Sequence, residues 1–158
     1  MKEIKRYWDS SCFLAWLKKE PDKIDDCRGV IQGCENGQIK LITSTLTIAE
    51  VLYLKHNQKI PKTESGLIRD FFEHRYIITV AVDRTIAEKA QDLVWDYEIK
   101  PKDAIHAASA ILSGTKILDT FDPDFLTFGK KTQNLNLQIG KPCFSYQYKI
   151  NDKEETQK

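Results

Sequence analysis

Carboxylates in this chain fall where the backbone changes direction. Asp9 follows the segment Ile4-Lys5-Arg6-Tyr7-Trp8, and Glu50 ends the run Thr47-Ile48-Ala49-Glu50. Asp103 opens Asp103-Ala104-Ile105-His106-Ala107-Ala108, while Asp119, Asp122 and Asp124 crowd residues 117–125. Gathered at one point, such groups cannot all stay ionised unaided: two carboxylates about 5 Å apart repel by roughly 3 kcal/mol at an effective dielectric of about 20. Mg²⁺ or Mn²⁺ relieves that repulsion, because these hard ions take oxygen ligands. No Cys or His grouping here has zinc spacing. A carboxylate-held divalent ion lowers the pKa of its water and neutralises charge developing on a phosphodiester.

Each carboxylate taken alone also has a plainer use. Asp9 suits a turn that caps the first helix. Thr47-x-x-Glu50 fits a capping box, in which two orphan amides are satisfied reciprocally. Asp103, two residues after Pro101, sits where a helix dipole favours acid, and Asp122-Pro123-Asp124 reads as a surface turn. These uses leave the small residues after Asp103 unexplained. Ala104, Ala107, Ala108 and Ala110 let their helix approach a sheet closely, which holds Asp103 near the strand ends.

The elements that must position these groups alternate. Strands are expected over residues 4–8, 39–43, 76–82 and 135–142, with a further short apolar strand leading to Asp119; that over 76–82 is rich in β-branched residues. Helices are expected over 12–17, with Ser10 or Ser11 as N-cap, and over 23–36, with Ile24, Cys27, Val30, Ile31 and Cys34 on one face and Gly37 as stop. Others are expected over 48–54, 63–73, 83–97 and 103–112. Trp16, Trp95, Phe71 and Phe72 are assigned to the core. This alternation implies an α/β fold, a three-layer α/β/α sandwich around a mostly parallel sheet. In such sheets ligands gather beyond the carboxyl ends of the strands, at a topological switch point. Asp9 and the 119–124 cluster lie past strand ends, and Glu50 and Asp103 are expected in first turns of helices, so all can face that edge.

The chain's 158 residues suffice for one core, taken as a single domain over 1–148 with a charged, disordered tail at 149–158. A composition of 41% hydrophobic and 30% charged residues excludes a low-complexity architecture, and the net charge of +1 neither demands nor excludes a nucleic-acid partner. Cys12, Cys27, Cys34 and Cys143 form no CxxC pair and are read as reduced core thiols of a cytoplasmic protein. No apolar run approaches the roughly 20 residues of a membrane span.

Four of these segments, in order, carry a resemblance. Trp8-Asp9-Ser10-Ser11, Thr47-Ile48-Ala49-Glu50, Asp103-Ala104-Ile105-His106-Ala107-Ala108-Ser109-Ala110 and Leu118-Asp119-Thr120-Phe121-Asp122-Pro123-Asp124-Phe125 together resemble the PIN-domain family of nucleases, and within it the compact VapC-type toxins. The resemblance implies an acidic quartet of Asp9, Glu50, Asp103 and Asp122, the last being the Asp of Thr-x-Asp, with Asp124 as reserve. Asp119 occupies a place more often apolar in that family. The metal ligands would be Asp9, Asp103 and Asp122, with Glu50 acting through water or as proton acceptor. Ser10, Thr120 and His106 are auxiliary candidates. Lys100 and Lys102, and Lys55, His56, Lys59 and Lys62, lie where RNA phosphates would arrive.

The expected function is thus a Mg²⁺- or Mn²⁺-dependent endoribonuclease, the toxin of a pair restrained by a small antitoxin, and a homodimer by family habit. The alternatives are a non-cleaving PIN-like module that binds RNA or protein, and an RNA-processing nuclease outside any toxin pair. A haloacid-dehalogenase-type phosphotransferase needs a second Asp two residues after Asp9, where this chain has Ser11.

Overall fold

The computed structural model describes residues 3–53 and 58–142. Five strands, β1 (Ile4–Trp8), β2 (Ile39–Ser44), β3 (Ile77–Val80), β4 (Ile117–Asp119) and β5 (Gln138–Gly140), form one sheet in the order β3-β2-β1-β4-β5. All four pairings are parallel, so the expected mostly parallel sheet is wholly so. The chain steps from β1 outward to β2 and β3, then crosses back to lay β4 on the other side of β1. The switch point therefore lies between β1 and β4, with Trp8 in register with Asp119.

Successive side chains of a strand point to opposite faces, and in a sheet covered on both sides each needs its own core. Trp8 and Leu41 pack with α1 (Ser10–Leu17), α2 (Ile24–Glu35) and α4 (Ser65–Phe72). Tyr7 and Ile42 pack on the opposite face with α5 (Arg84–Tyr97), α6 (Pro101–Leu112) and α7 (Pro123–Lys131). The three layers follow. Ala104, Ala107, Ala108 and Ala110 are fully buried, as a helix lying close on the sheet requires.

Four expectations change. Residues 123–131 form α7, where only a turn was read: Asp122 is its N-cap and Pro123 its first residue, a sequence that serves a turn or a helix start equally. The Glu50 helix, α3 (Thr45–Glu50), begins and ends early, so Glu50 is its last residue. No capping box forms there, because Thr47 is buried with its hydroxyl 2.7 Å from that of Thr43. Trp95 is 69% exposed, outside the core to which it was assigned. Cys12, Cys27 and Cys34 are free and buried. Cys143, the tail, Lys55 and His56 lie outside the described residues.

Candidate active site

Asp9 leaves β1 at the switch point and is itself the N-cap of α1. Its Oδ1 accepts from Ser11 N at 3.1 Å, Ser11 Oγ at 2.6 Å and Cys12 N at 3.3 Å. Its Oδ2 accepts from Thr120 Oγ1 at 2.5 Å, across the β1–β4 seam. Burial pushes the Asp9 carboxyl up, and nearby His106 together with these donors pulls it back. Thr120, an auxiliary candidate from the sequence, is thus a hydrogen-bond partner of Asp9. The second hydroxyl is that of Ser11, which also accepts from Phe121 N at 2.9 Å, whereas no hydrogen bond joins Ser10 to these acids among the described residues.

Asp103 occupies the first turn of α6, after Pro101 and Lys102. It is 4% exposed, and its carboxylate accepts no hydrogen bond among the described residues. Burial is the first cause, and the Asp122 charge the second, of a pKa pushed up to about 6. Asp122 caps α7 by accepting from Asp124 N at 2.9 Å and donates its own amide to Thr120 Oγ1, 3.1 Å away. Asp124 turns outward to Lys100 Nζ at 3.2 Å, both side chains 70% exposed, so Asp122 is the one of the pair that faces Asp103 electrostatically.

Glu50 reaches the same edge from the end of α3. Its Oε1 accepts from His106 Nε2 at 2.6 Å, and its Oε2 lies 3.4 Å from Lys102 Nζ. Burial alone would raise its pKa, but the hydrogen bond from His106, with Lys102, brings it below the ordinary value. His106 Nδ1 is in turn 2.7 Å from Tyr7 Oη. Tyr7 was not singled out from the sequence; the available signal was a histidine among alanines, since a buried imidazole needs two partners.

Asp119, whose role the sequence left open, faces the other core. Arg6 donates to it twice, from Nε at 2.8 Å and Nη2 at 2.7 Å, and Trp8 Nε1 donates at 2.9 Å. It is a structural anion at the β1–β4 seam. Asp119→Ala should therefore lower unfolding free energy by about 3 kcal/mol, the lower end for breaking a buried pair because Arg6 keeps slight exposure. Urea unfolding measures this, and the chemistry per folded molecule should be unaffected.

Two of the three buried aspartates thus differ in kind: Asp119 is paired with a guanidinium and Asp103 is not. Among the described residues no three acidic, His or Cys side chains close on one metal-sized point. Asp9 turns to its amides and hydroxyls, Glu50 to His106, and Asp122 to its cap. The donor set of carboxylates nevertheless fits a hard cation, and the buried, unbonded Asp103 is its clearest feature. A recess of about 280 Å³ adjoins Asp103, with Tyr97, Lys100, Asp124, Thr127 and Lys131 in its wall.

The chain is similar in structure to the VapC20 toxin of Mycobacterium tuberculosis, described as cleaving the sarcin-ricin loop: TM-score 0.60, 15% identity, 78% of this chain and 95% of that one covered. VapBC2 of Rickettsia felis, solved bound to a promoter DNA fragment, gives a TM-score of 0.60 at 17% identity, covering 86% of this chain and 97% of that one. A toxin–antitoxin complex from Klebsiella pneumoniae gives 0.54 at 19% identity, over 76% of this chain and 89% of that one. None of the curated proteins compared matches the chain. The three likenesses concern the fold. The sequence itself matches the family profile described as PIN domain over residues 6–131, from Arg6 of β1 to the end of α7, which takes in every acid of the cluster. This chain belongs to the PIN-domain family.

Proposed function

We propose that the chain is a divalent-metal-dependent endoribonuclease, formed by a single domain over 1–148, and the toxin of a toxin–antitoxin pair. The observation that carries this reading is the contrast between Asp119 and Asp103. A buried carboxylate without a hydrogen bond, beside further carboxylates, costs stability unless a cation joins it. Asp9, Asp103 and Asp122 would hold that ion. When bound, Mg²⁺ or Mn²⁺ supplies positive charge to a phosphodiester and acidifies water.

The protein's own groups do the remainder. Ser11, Cys12 N and Thr120 fix the Asp9 carboxylate at the switch point. Glu50, kept ionised by His106 and Lys102, offers Oε2 as an acceptor that orients water more than it removes a proton near neutral pH. Lys100, Lys102 and Lys131 lie near enough to draw phosphates in. The partner roles follow from the family and the toxin-complex likenesses: an RNA substrate, a small antitoxin and a second copy of the chain. Among the described residues no helix is long and apolar enough to cross a membrane, and we place the protein in the cytoplasm.

Purified protein should cleave an RNA pool with Mn²⁺ or Mg²⁺, lose cleavage in EDTA, and lose it in Asp9→Asn and Asp103→Asn. Wild type that leaves every RNA intact, or variants that cut equally well, would sink the proposal. Metal-independent RNA binding unaffected by Asp103→Asn would instead support the non-cleaving module.

A further inference from the structure

We infer that His106, held in turn by Tyr7, is a positioning residue that fixes the Glu50 carboxylate at the acidic edge. The inference rests on the nuclease reading above and concerns residues outside its acidic quartet. Glu50 ends a helix of only six residues, so its carboxylate is held by what its side chain meets. Two described groups touch it. Lys102 Nζ, 3.4 Å away, sits on a stem 60% exposed, and such surface pairs constrain little. His106 is 2% exposed, planar, and 2.6 Å from Oε1.

The protonation pattern of this chain follows from donor counting. An ionised carboxylate only accepts, so the proton between Glu50 and His106 belongs to Nε2. A neutral imidazole then presents Nδ1 as an acceptor, and the Tyr7 hydroxyl at 2.7 Å is the donor that meets it. Tyr7 is fully buried, and its hydroxyl lies within hydrogen-bond reach of that Nδ1. The chain Tyr7 Oη–H to Nδ1, Nε2–H to Glu50 is complete with every member satisfied, beside an otherwise apolar core.

The arrangement also joins the acids into one frame. β1 carries Tyr7 and, two residues on, Asp9; α6 carries Asp103 and, three residues on, His106, on the same helical side. Glu50, alone on the short α3, is referred to both elements through the imidazole. A histidine satisfied merely as part of the core needs only buried partners. This one ends on a carboxylate, 13% exposed, at the edge where the other acids gather.

The test is a set of variants assayed for RNA cleavage with Mn²⁺. His106→Phe keeps a buried ring and removes the donor; kcat should fall about 10- to 100-fold, the usual range for losing such a supporting bond, with KM little changed. His106→Gln, whose amide nitrogen stands near the place of Nε2, should be faster than His106→Phe. Tyr7→Phe, which deletes a single oxygen, should fall between wild type and His106→Phe, and it serves if the histidine variants do not fold. In a Glu50→Gln background His106→Phe should slow the residual reaction no further, because a residue that works through Glu50 has nothing left to position. Folded His106→Phe with wild-type kcat, or additive slowing in the Glu50→Gln background, overturns the inference. Wild type without cleavage sinks the nuclease reading instead. The ¹⁵N spectrum of His106 then decides the hydrogen-bond chain by itself: protonated Nε2 with bare Nδ1 supports it, and the reverse tautomer overturns it.

Discussion

Asp103→Asn should abolish cleavage and, in the same molecule, raise the stability of the metal-free protein at neutral pH. The carboxyl of Asp103 has its pKa raised from 3.8 to about 6, first by burial and then by Asp122. A group whose folded-state pKa lies above its unfolded value favours folding while protonated and loses that contribution as pH climbs through the folded value. Above about pH 6 the wild type therefore carries an ionised, poorly solvated carboxylate, and Asn removes it at almost constant volume. A tenfold rise in proton affinity on folding corresponds to about 1.4 kcal/mol. The mouth of the site is open to water, and an acid in a first helical turn contributes roughly 0.3–1 kcal/mol through the dipole that Asn forgoes, so the net gain expected is about 1–2 kcal/mol. For a chain of this length that is a rise of about 2–8 °C in Tm. The advantage should shrink as pH falls from about 6 toward 4, where the wild-type carboxyl becomes neutral. Thermal unfolding in EDTA across that range measures it; equal stability at pH 7.5, or a difference indifferent to pH, removes the like-charge account of the site.

That stability cost was readable from the sequence in outline and unreadable in its assignment. The strand and helix alternation, the small-residue face of α6 and the placing of acids past strand ends all come from local patterns of period two or 3.6, which one chain displays by itself. Asp119 could not be understood that way. Its partner Arg6 is 113 positions away, and the two meet only because β1 and β4 lie in a register that sets Trp8 against Asp119. Glu50 failed for a related reason: Thr47-x-x-Glu50 is locally a helix start, and burial of Thr47 against Thr43 overrides it. The helix α7 was hidden by an ambiguity of chemistry, although Phe125 and Phe128, one turn apart and both buried, were its available sign. Ser10 and Ser11 are both caps by type, yet the backbone turns one residue earlier: Asp9 is the N-cap of α1, and Ser11 instead donates to its carboxylate. The acids were visible, then, and so were Thr120 and His106 as candidates; Arg6, Trp8 and Tyr7 were not, since their contacts to Asp119 and His106 join residues far apart in the chain.

The second large effect expected is a metal-linked rise in stability. A ligand that binds the folded state alone stabilises it by about 2.7 kcal/mol at 100 times its Kd, so saturating Mn²⁺ should raise the Tm of wild type by roughly 5–10 °C, reversibly with EDTA. The increase should grow with pH through about 6, because binding must displace the proton that Asp103 retains below that value. Asp103→Asn should lose most of it. Asp122 and Asp124 are separable in the same assay. Asp122→Asn keeps an oxygen to accept from Asp124 N, so the cap of α7 survives while the charge facing Asp103 is removed, and the metal response should shrink without loss of basal stability. Asp124, exposed and turned to Lys100, should give an Asn variant indistinguishable from wild type in its metal response. An equal rise in wild type and Asp103→Asn would place any bound cation away from this edge. A wild type indifferent to millimolar Mn²⁺ above pH 7 would mean that the buried charge of Asp103 is borne without a metal.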